Sequence, residues 1–309
     1  MAIAFLYAGQ GSQKPGMGRD LYAAFPEVQE IFDYSPLGSD LKRLCFDAEL
    51  SELSLTENTQ PAMGAFAAAV TRVLALEGVT PDFAMGLSLG EYSALHSAGV
   101  FDWREMLDLL AFRGSAMAEC SRGVDFKMSA VLTSDAELVE RAVTQVEGDV
   151  WCCNYNCPGQ TVIGGLRADV ERAESLALEL GARRCMPLNV GGPFHTPLMR
   201  AASDKLEQYM QPWRFSSARF PVVTNVTGEA VEPAADVKPL LTRQVMSPVR
   251  FEVGLRTLAE LGVTTFAEIG PGSVLSGFVK KTLPSASTLA IETVEDLRSA
   301  VTTLKEARS

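Results

Sequence analysis

The sequence predicts an α/β fold, a helix-flanked sheet interrupted by a small βαββαβ unit. Three observations carry this expectation. Short apolar runs alternate with segments of helical period, the pattern that covers the faces of a sheet with helices. Between residues 128 and 188 the order of elements changes, and afterwards the first pattern resumes. The chain has 309 residues, 47% of them apolar and 21% charged, enough for one large domain or two unequal ones around a packed core.

Residues 3–7 form an uncharged run before Gly9 and read as a buried strand entering a glycine-rich loop. An alanine-rich helix is predicted over 61–76, with Pro61 in its first turn and Gly78 just past its end. Residues 83–85 read as a strand and 89–98 as a helix stopped by Gly99. Asp102 followed by Glu105 has the spacing of a capping box, opening a helix to about Cys120. Strands are then predicted at 128–132, 150–153, 161–163 and 184–188, with helices at 135–146 and 168–180. That order is the split βαβ unit of a ferredoxin-like domain. Strands at 221–225 and 264–269 and helices around 200–210 and 251–261 restore the earlier pattern. The expected division is a discontinuous large domain, 1–124 and 190–309, and a small inserted domain, 125–189.

Composition narrows the function. The 27 Lys and Arg residues against 38 Asp and Glu give a net charge of −11, which argues against a nucleic-acid partner. The first residues, MAIAFLYAGQGS, lack a basic region, so no export signal is expected. The longest apolar stretch, 62–76, is broken by Thr71 and Arg72, so no membrane span is expected and the location reads as cytoplasmic. Cys45, Cys120 and Cys185 are scattered, while Cys152, Cys153 and Cys157 share one stretch without CxxC spacing or a nearby histidine. Reduced thiols are expected there, not a metal.

The strongest chemical signal is Gly86-Leu87-Ser88-Leu89-Gly90, between a predicted strand and a predicted helix. A nucleophile elbow needs that context, with small residues at 86 and 90 for a sharp turn and close strand–helix packing. Ser88 would stand at a helix N-terminus, where backbone N–H groups favour developing negative charge. It needs a base, and if that base is a histidine only two exist. His96, eight residues further along the same helix, lies about 12 Å away along its axis and is out of reach. That leaves His195, in the rigid loop Gly191-Gly192-Pro193-Phe194-His195-Thr196-Pro197. Serine before histidine is the chain order of α/β-hydrolase-like folds. Arg113 falls inside the apolar stripe Met106, Leu109, Leu110, Ala116, Met117. A guanidinium aimed at a core needs an anion, either a structural carboxylate or one on a substrate, and periodicity does not choose. The loop from Gly9 to Gly18 fails both the dinucleotide and the Walker pattern but suits the presentation of backbone N–H groups to an oxyanion.

Over essentially the whole chain these motifs resemble the malonyl-CoA:acyl-carrier-protein transacylase family. The resemblance runs in order through Gly9-Gln10-Gly11-Ser12-Gln13, the stretch from Gly86 to Leu95, Phe112-Arg113-Gly114, Asn154 to Gln160, Phe194 to Met199, Arg243-Gln244 with Ser247 to Phe251, and Gly270-Pro271-Gly272. It implies an α/β-hydrolase-like large domain and a ping-pong transfer of malonyl from malonyl-CoA to the phosphopantetheine thiol of acyl carrier protein. The product would supply fatty acid or polyketide synthesis. No cofactor beyond the substrates is implied. Ser88 would carry the acyl group, His195 would be its base, and Arg113 would bind the malonyl carboxylate. The N–H groups of Gln10 and Leu89 would form the oxyanion hole, and the Gln244 main-chain carbonyl would orient the imidazole. Phe194 would restrict room for an α-methyl group. The family usually has histidine where Leu87 stands, and more often a Met-Gln pair within the stretch here reading Ser115-Ala116-Met117-Ala118-Glu119. A serine thioesterase or esterase using the same pair is the alternative reading. Carrier proteins are typically acidic, so docking needs a local basic patch, for which Lys280 and Lys281 are candidates.

Overall fold

The computed structural model describes residues 2–231 and 234–308. Ten strands lie among them: Ala2–Tyr7 (β1), Phe83–Gly86 (β2), Phe126–Leu132 (β3), Val150–Cys157 (β4), Gln160–Leu166 (β5), Arg184–Pro187 (β6), Val222–Val223 (β7), Ala230–Val231 (β8), Val263–Ile269 (β9) and Ser287–Ile291 (β10). They make two sheets in a mixed α/β architecture. The larger has the order β10-β9-β1-β2-β7-β8, parallel except for β8. The smaller is antiparallel with the order β4-β5-β3-β6, and its strands lie between β2 and β7 in sequence.

The apolar run of β1 follows from its central place, because both of its faces are covered. Ile3, Phe5 and Tyr7 belong to one buried cluster with Phe66, Tyr92 and Leu95. Ala4 and Leu6 belong to another with Met85, Val223, Phe251 and Leu255. The helices Thr56–Leu76 and Trp103–Ser121 cross closely. Gly114 is needed at their crossing, since a Cβ there would come within 2.8 Å of the Thr56 carbonyl oxygen. The capping box at Asp102 and Glu105 is formed in both directions.

Among the departures from expectation, three are instructive. The helix predicted from Pro61 begins at Thr56, so Pro61 lies inside it. The earlier turn is tied down by side chains, with Thr59 Oγ1 donating to the Leu53 carbonyl and Asn58 Nδ2 to that of Glu52. The strand predicted over 221–225 is only Val222–Val223, because Asn225 leaves the ladder for the site described below. The edge strand Ser287–Ile291, only partly buried over most of its length, was not anticipated.

Candidate active site

The site forms where the carboxyl ends of the central parallel strands meet, the usual place for a crevice in such sheets. Tyr7 at the end of β1 pairs with Gly86 at the end of β2. The loop carrying Gln10 and the turn carrying Ser88 therefore emerge side by side. The small residues flanking Ser88 are required as the sequence suggested. A Cβ on Gly86 would overlap the Gly90 backbone at 1.9 Å, and one on Gly90 would meet the Tyr7 oxygen at 2.2 Å. Ser88 itself takes φ 54°, a left-handed conformation that costs of order 1–3 kcal/mol unless its surroundings enforce it. They do so through two bonds. Its N–H donates to Asn225 Oδ1 at 2.7 Å, and its carbonyl accepts from Gln244 Nε2 at 2.9 Å.

His195, at φ 62°, is strained in the same way, and its N–H donates to the Val245 carbonyl at 3.0 Å. Its Nε2 lies 2.8 Å from Ser88 Oγ, and its Nδ1 lies 2.8 Å from the Gln244 main-chain oxygen. A carbonyl only accepts, so Nδ1 carries the proton and Nε2 is left to accept from the serine hydroxyl. His96 lies elsewhere, with Nδ1 at 3.2 Å from the Phe101 carbonyl.

Arg113 is 1% exposed and reaches the same hydroxyl. Its Nη2 donates to Ser88 Oγ at 3.1 Å and to Gln244 Oε1 at 2.9 Å, and its Nη1 donates to Gln60 Oε1 at 2.8 Å. All three acceptors are neutral oxygens. The carboxylate of this network is Glu91, fully buried, whose Oε2 accepts from Gln244 Nε2 at 2.8 Å and from the Asn225 N–H at 2.9 Å. Sequence reasoning missed Gln60, Glu91 and Asn225. Glu91 stands in the motif directly after Gly90, but Gln60 and Asn225 carry no local signal.

Burial, and after it the Arg113 charge, push the His195 imidazole down to about 4, so it is neutral across the physiological range. Burial raises the Glu91 carboxyl to about 7. The loss of Ser88 acylation that comes from protonating the imidazole is expected as pH falls through about 4. Any inflection near 7 belongs to Glu91 and should disappear in Glu91→Gln. A pH–rate profile that keeps a midpoint at 6.5 or above in that variant would contradict the depressed imidazole.

Ser88, His195 and Arg113 line a cleft of about 280 Å³ with Gln10, Leu89 and Phe194. Its opposite wall comes from the smaller sheet, including Met128, Ala130 and Val162. That sheet is fixed to the site by two bonds, from the Tyr155 N–H to the Val249 carbonyl at 2.9 Å and from the Val249 N–H to the Cys153 carbonyl at 2.8 Å. Among the described residues the Gln10 and Leu89 N–H groups donate to no acceptor, and they flank Ser88 across the β1–β2 junction. Of the positions that depart from the resemblance, Leu87 faces the cleft and gives it apolar surface, while Met117, beside the departing Ala118, forms part of the wall. All seven residues singled out in the sequence thus meet at one place, with the Gln244 side chain behind Ser88. Among the described residues no cluster of metal-ligating side chains exists, and no helix is long and apolar enough to cross a membrane.

A strained serine touching a neutral imidazole at a strand–helix turn is the arrangement for covalent acyl chemistry. The model of the acyl transferase domain matches residues 4–306. A malonyl CoA-acyl carrier protein transacylase of Bacillus subtilis is 43% identical over 309 residues, covering 98% of each chain. The chain belongs to the malonyl-CoA:acyl-carrier-protein transacylase family. Solved structures in this family superpose closely. The enzyme from Streptococcus pneumoniae gives a TM-score of 0.93 at 42% identity, covering 97% of this chain and 99% of that one. A malonyl-transacylase in complex with its type II polyketide acyl-carrier protein gives 0.94 at 37% identity, covering 98% and 100%.

Proposed function

We propose that this enzyme transfers malonyl groups from malonyl-CoA to acyl carrier protein through a malonyl ester on Ser88. The observation that carries the reading is the Ser88 hydroxyl held between His195 Nε2 at 2.8 Å and Arg113 Nη2 at 3.1 Å. His195 takes the hydroxyl proton as Oγ attacks the thioester carbonyl. The N–H groups of Gln10 and Leu89 receive the negative charge that develops on that oxygen. Collapse breaks the C–S bond, and the CoA sulfur leaves with the proton from His195. The phosphopantetheine thiol then gives its proton to His195 and attacks the ester, and Ser88 Oγ recovers the proton as it leaves.

Arg113 binds the free carboxylate, and its bond to Ser88 Oγ keeps the guanidinium beside the reacting centre before substrate arrives. Phe194 narrows the space beside the acyl α-carbon. The Gln244 main-chain carbonyl takes the orienting place that a carboxylate holds in serine triads. No cofactor takes part beyond the thioester donor and the thiol of the carrier's phosphopantetheine. The large domain comprises residues 1–124 and 190–309, α/β-hydrolase-like, and the ferredoxin-like small domain residues 125–189. This division puts the nucleophile on one side of the cleft and an apolar wall on the other. The six free cysteines, four of them buried, suit a reducing cytoplasm. Hydrolysis by the same pair is disfavoured, because the relatives compared carry transacylase names.

A panel of acyl-CoA donors, scored by the mass of the acyl-enzyme, tests this function. Malonyl should dominate over methylmalonyl and acetyl, and equal loading of acetyl would refute the reading. For the carrier protein, Lys280 and Lys281 are exposed in the last turn of the Val274–Thr282 helix, whose Val274 and Phe278 line the cleft. Reversing both charges is expected to raise the KM for carrier protein several-fold, more so at low salt, and to leave the KM for malonyl-CoA unchanged. An unchanged carrier KM would remove both lysines from the docking surface.

A further inference from the structure

Arg113 is the largest of the fully buried side chains, and every group accepting from it is uncharged. Burying a lone cation is costly, so something must offset its charge. The buried carboxyl of the network is one amide away. Gln244 donates Nε2–H to Glu91 Oε2 at 2.8 Å and presents Oε1 to Arg113 Nη2 at 2.9 Å. The order is carboxylate, amide, guanidinium, with the amide dipole pointing favourably toward both charges.

A primary amide has two orientations, and the polarity of its neighbours selects one here. Reversed, Gln244 would aim N–H groups at a guanidinium and its oxygen at the Glu91 carboxylate and the Ser88 carbonyl. Glu91 is held for this task by the Asn225 N–H, at 2.9 Å, while the Asn225 side chain holds Ser88. Glu91 does not line the cleft and is fully buried. A carboxylate bound directly to Arg113 would occupy the guanidinium face that an acyl carboxylate must use. Placed behind Gln244, it offsets the charge and leaves that face open.

We propose that Glu91 is a positioning residue for carboxylate selection: by accepting from Gln244 Nε2 it aims the Gln244 oxygen at Arg113 and holds the guanidinium toward the cleft, without touching the acyl group. The inference rests on Arg113 as the carboxylate binder. Burial raises the Glu91 carboxyl and lowers the Arg113 guanidinium, and the bonds from Gln244 and Asn225, with the Arg113 charge, favour the ionised Glu91.

The test compares single-turnover loading of the full chain by malonyl-CoA and by acetyl-CoA, with thermal unfolding as a check on folding. Glu91→Leu should raise the malonyl KM about tenfold or more, the loss of a hydrogen bond to a charged group, while acetyl loading changes less than about threefold. Glu91→Gln, which still offers Gln244 an acceptor but carries no charge, should recover part of the malonyl affinity, the part that comes from orienting Gln244. If Glu91→Leu does not fold, Glu91→Asp, with its shorter reach, should give a smaller rise confined to malonyl. Parallel losses for both donors, or no change for either, would overturn the proposal. Arg113→Ala separates the two readings. If that variant keeps its malonyl preference, the carboxylate-binder reading fails and this inference with it. If the preference is lost there but kept in the Glu91 variants, only the role of Glu91 is wrong.

Discussion

Replacing His195 with alanine is expected to slow malonyl loading of Ser88 roughly 1,000- to 10,000-fold, the upper part of the range for a positioned general base. The expectation is large because the hydroxyl has no other base. Its remaining close side-chain partner is Arg113 Nη2 at 3.1 Å, which can only donate. The other histidine is engaged with the Phe101 carbonyl at the far end of the Gly90–Ser97 helix. Folding should be little affected, since His195 and Ser88 both hold left-handed conformations that serve the site and not the core. Single-turnover loading followed by mass checks this. A rate within tenfold of the unchanged enzyme would mean that another group takes the proton.

Arg113→Ala is expected to cut malonyl loading and to erase most of the discrimination against acetyl. Leaving a buried guanidinium without its anion costs about 3–5 kcal/mol, which is roughly 100- to 4,000-fold. The structure favours the lower end. Gln60 and Gln244 oxygens accept from Arg113 even when no substrate carboxylate is present, so an acetyl group leaves the cation poorly compensated but not bare. The check is the ratio of kcat/KM for malonyl-CoA and acetyl-CoA. The ratio should fall by about 100-fold through a lower malonyl value, with acetyl unchanged or improved. A ratio that stays the same would show that selectivity resides elsewhere, with Phe194 the next residue to examine.

Much of this site was legible because its residues break local rules. Ser88 sits between two glycines at a strand–helix junction, and Arg113 interrupts an apolar stripe. His195 was reached by elimination, as one of two histidines. The Asp102–Glu105 capping box was readable for the opposite reason, since it follows a local rule and its bonds are local in sequence. Gln60 and Asn225 were hidden because their partners are remote. Gln60 meets Arg113 across 53 positions, and Asn225 meets the Ser88 N–H across 137. A glutamine in an alanine-rich helix looks solvent-facing until another helix crosses it, and that crossing depends on Gly114. The Thr56–Leu76 helix begins before Pro61, although proline reads as a starting signal, because Thr59 and Asn58 anchor an earlier turn. The relay from Glu91 through Gln244 to Arg113 is tertiary throughout, and no spacing in the chain announces it.

Covalent transfer through residue 88 is tested most directly by mixing the enzyme with malonyl-CoA and following its intact mass before and after phosphopantetheinylated carrier protein is added. The account predicts one malonyl group per chain, mapped to the peptide containing Ser88, absent from Ser88→Ala, persisting in buffer and moving onto the carrier. A malonyl adduct that forms equally in Ser88→Ala, or that is lost to water at the same rate whether or not carrier is present, would contradict it.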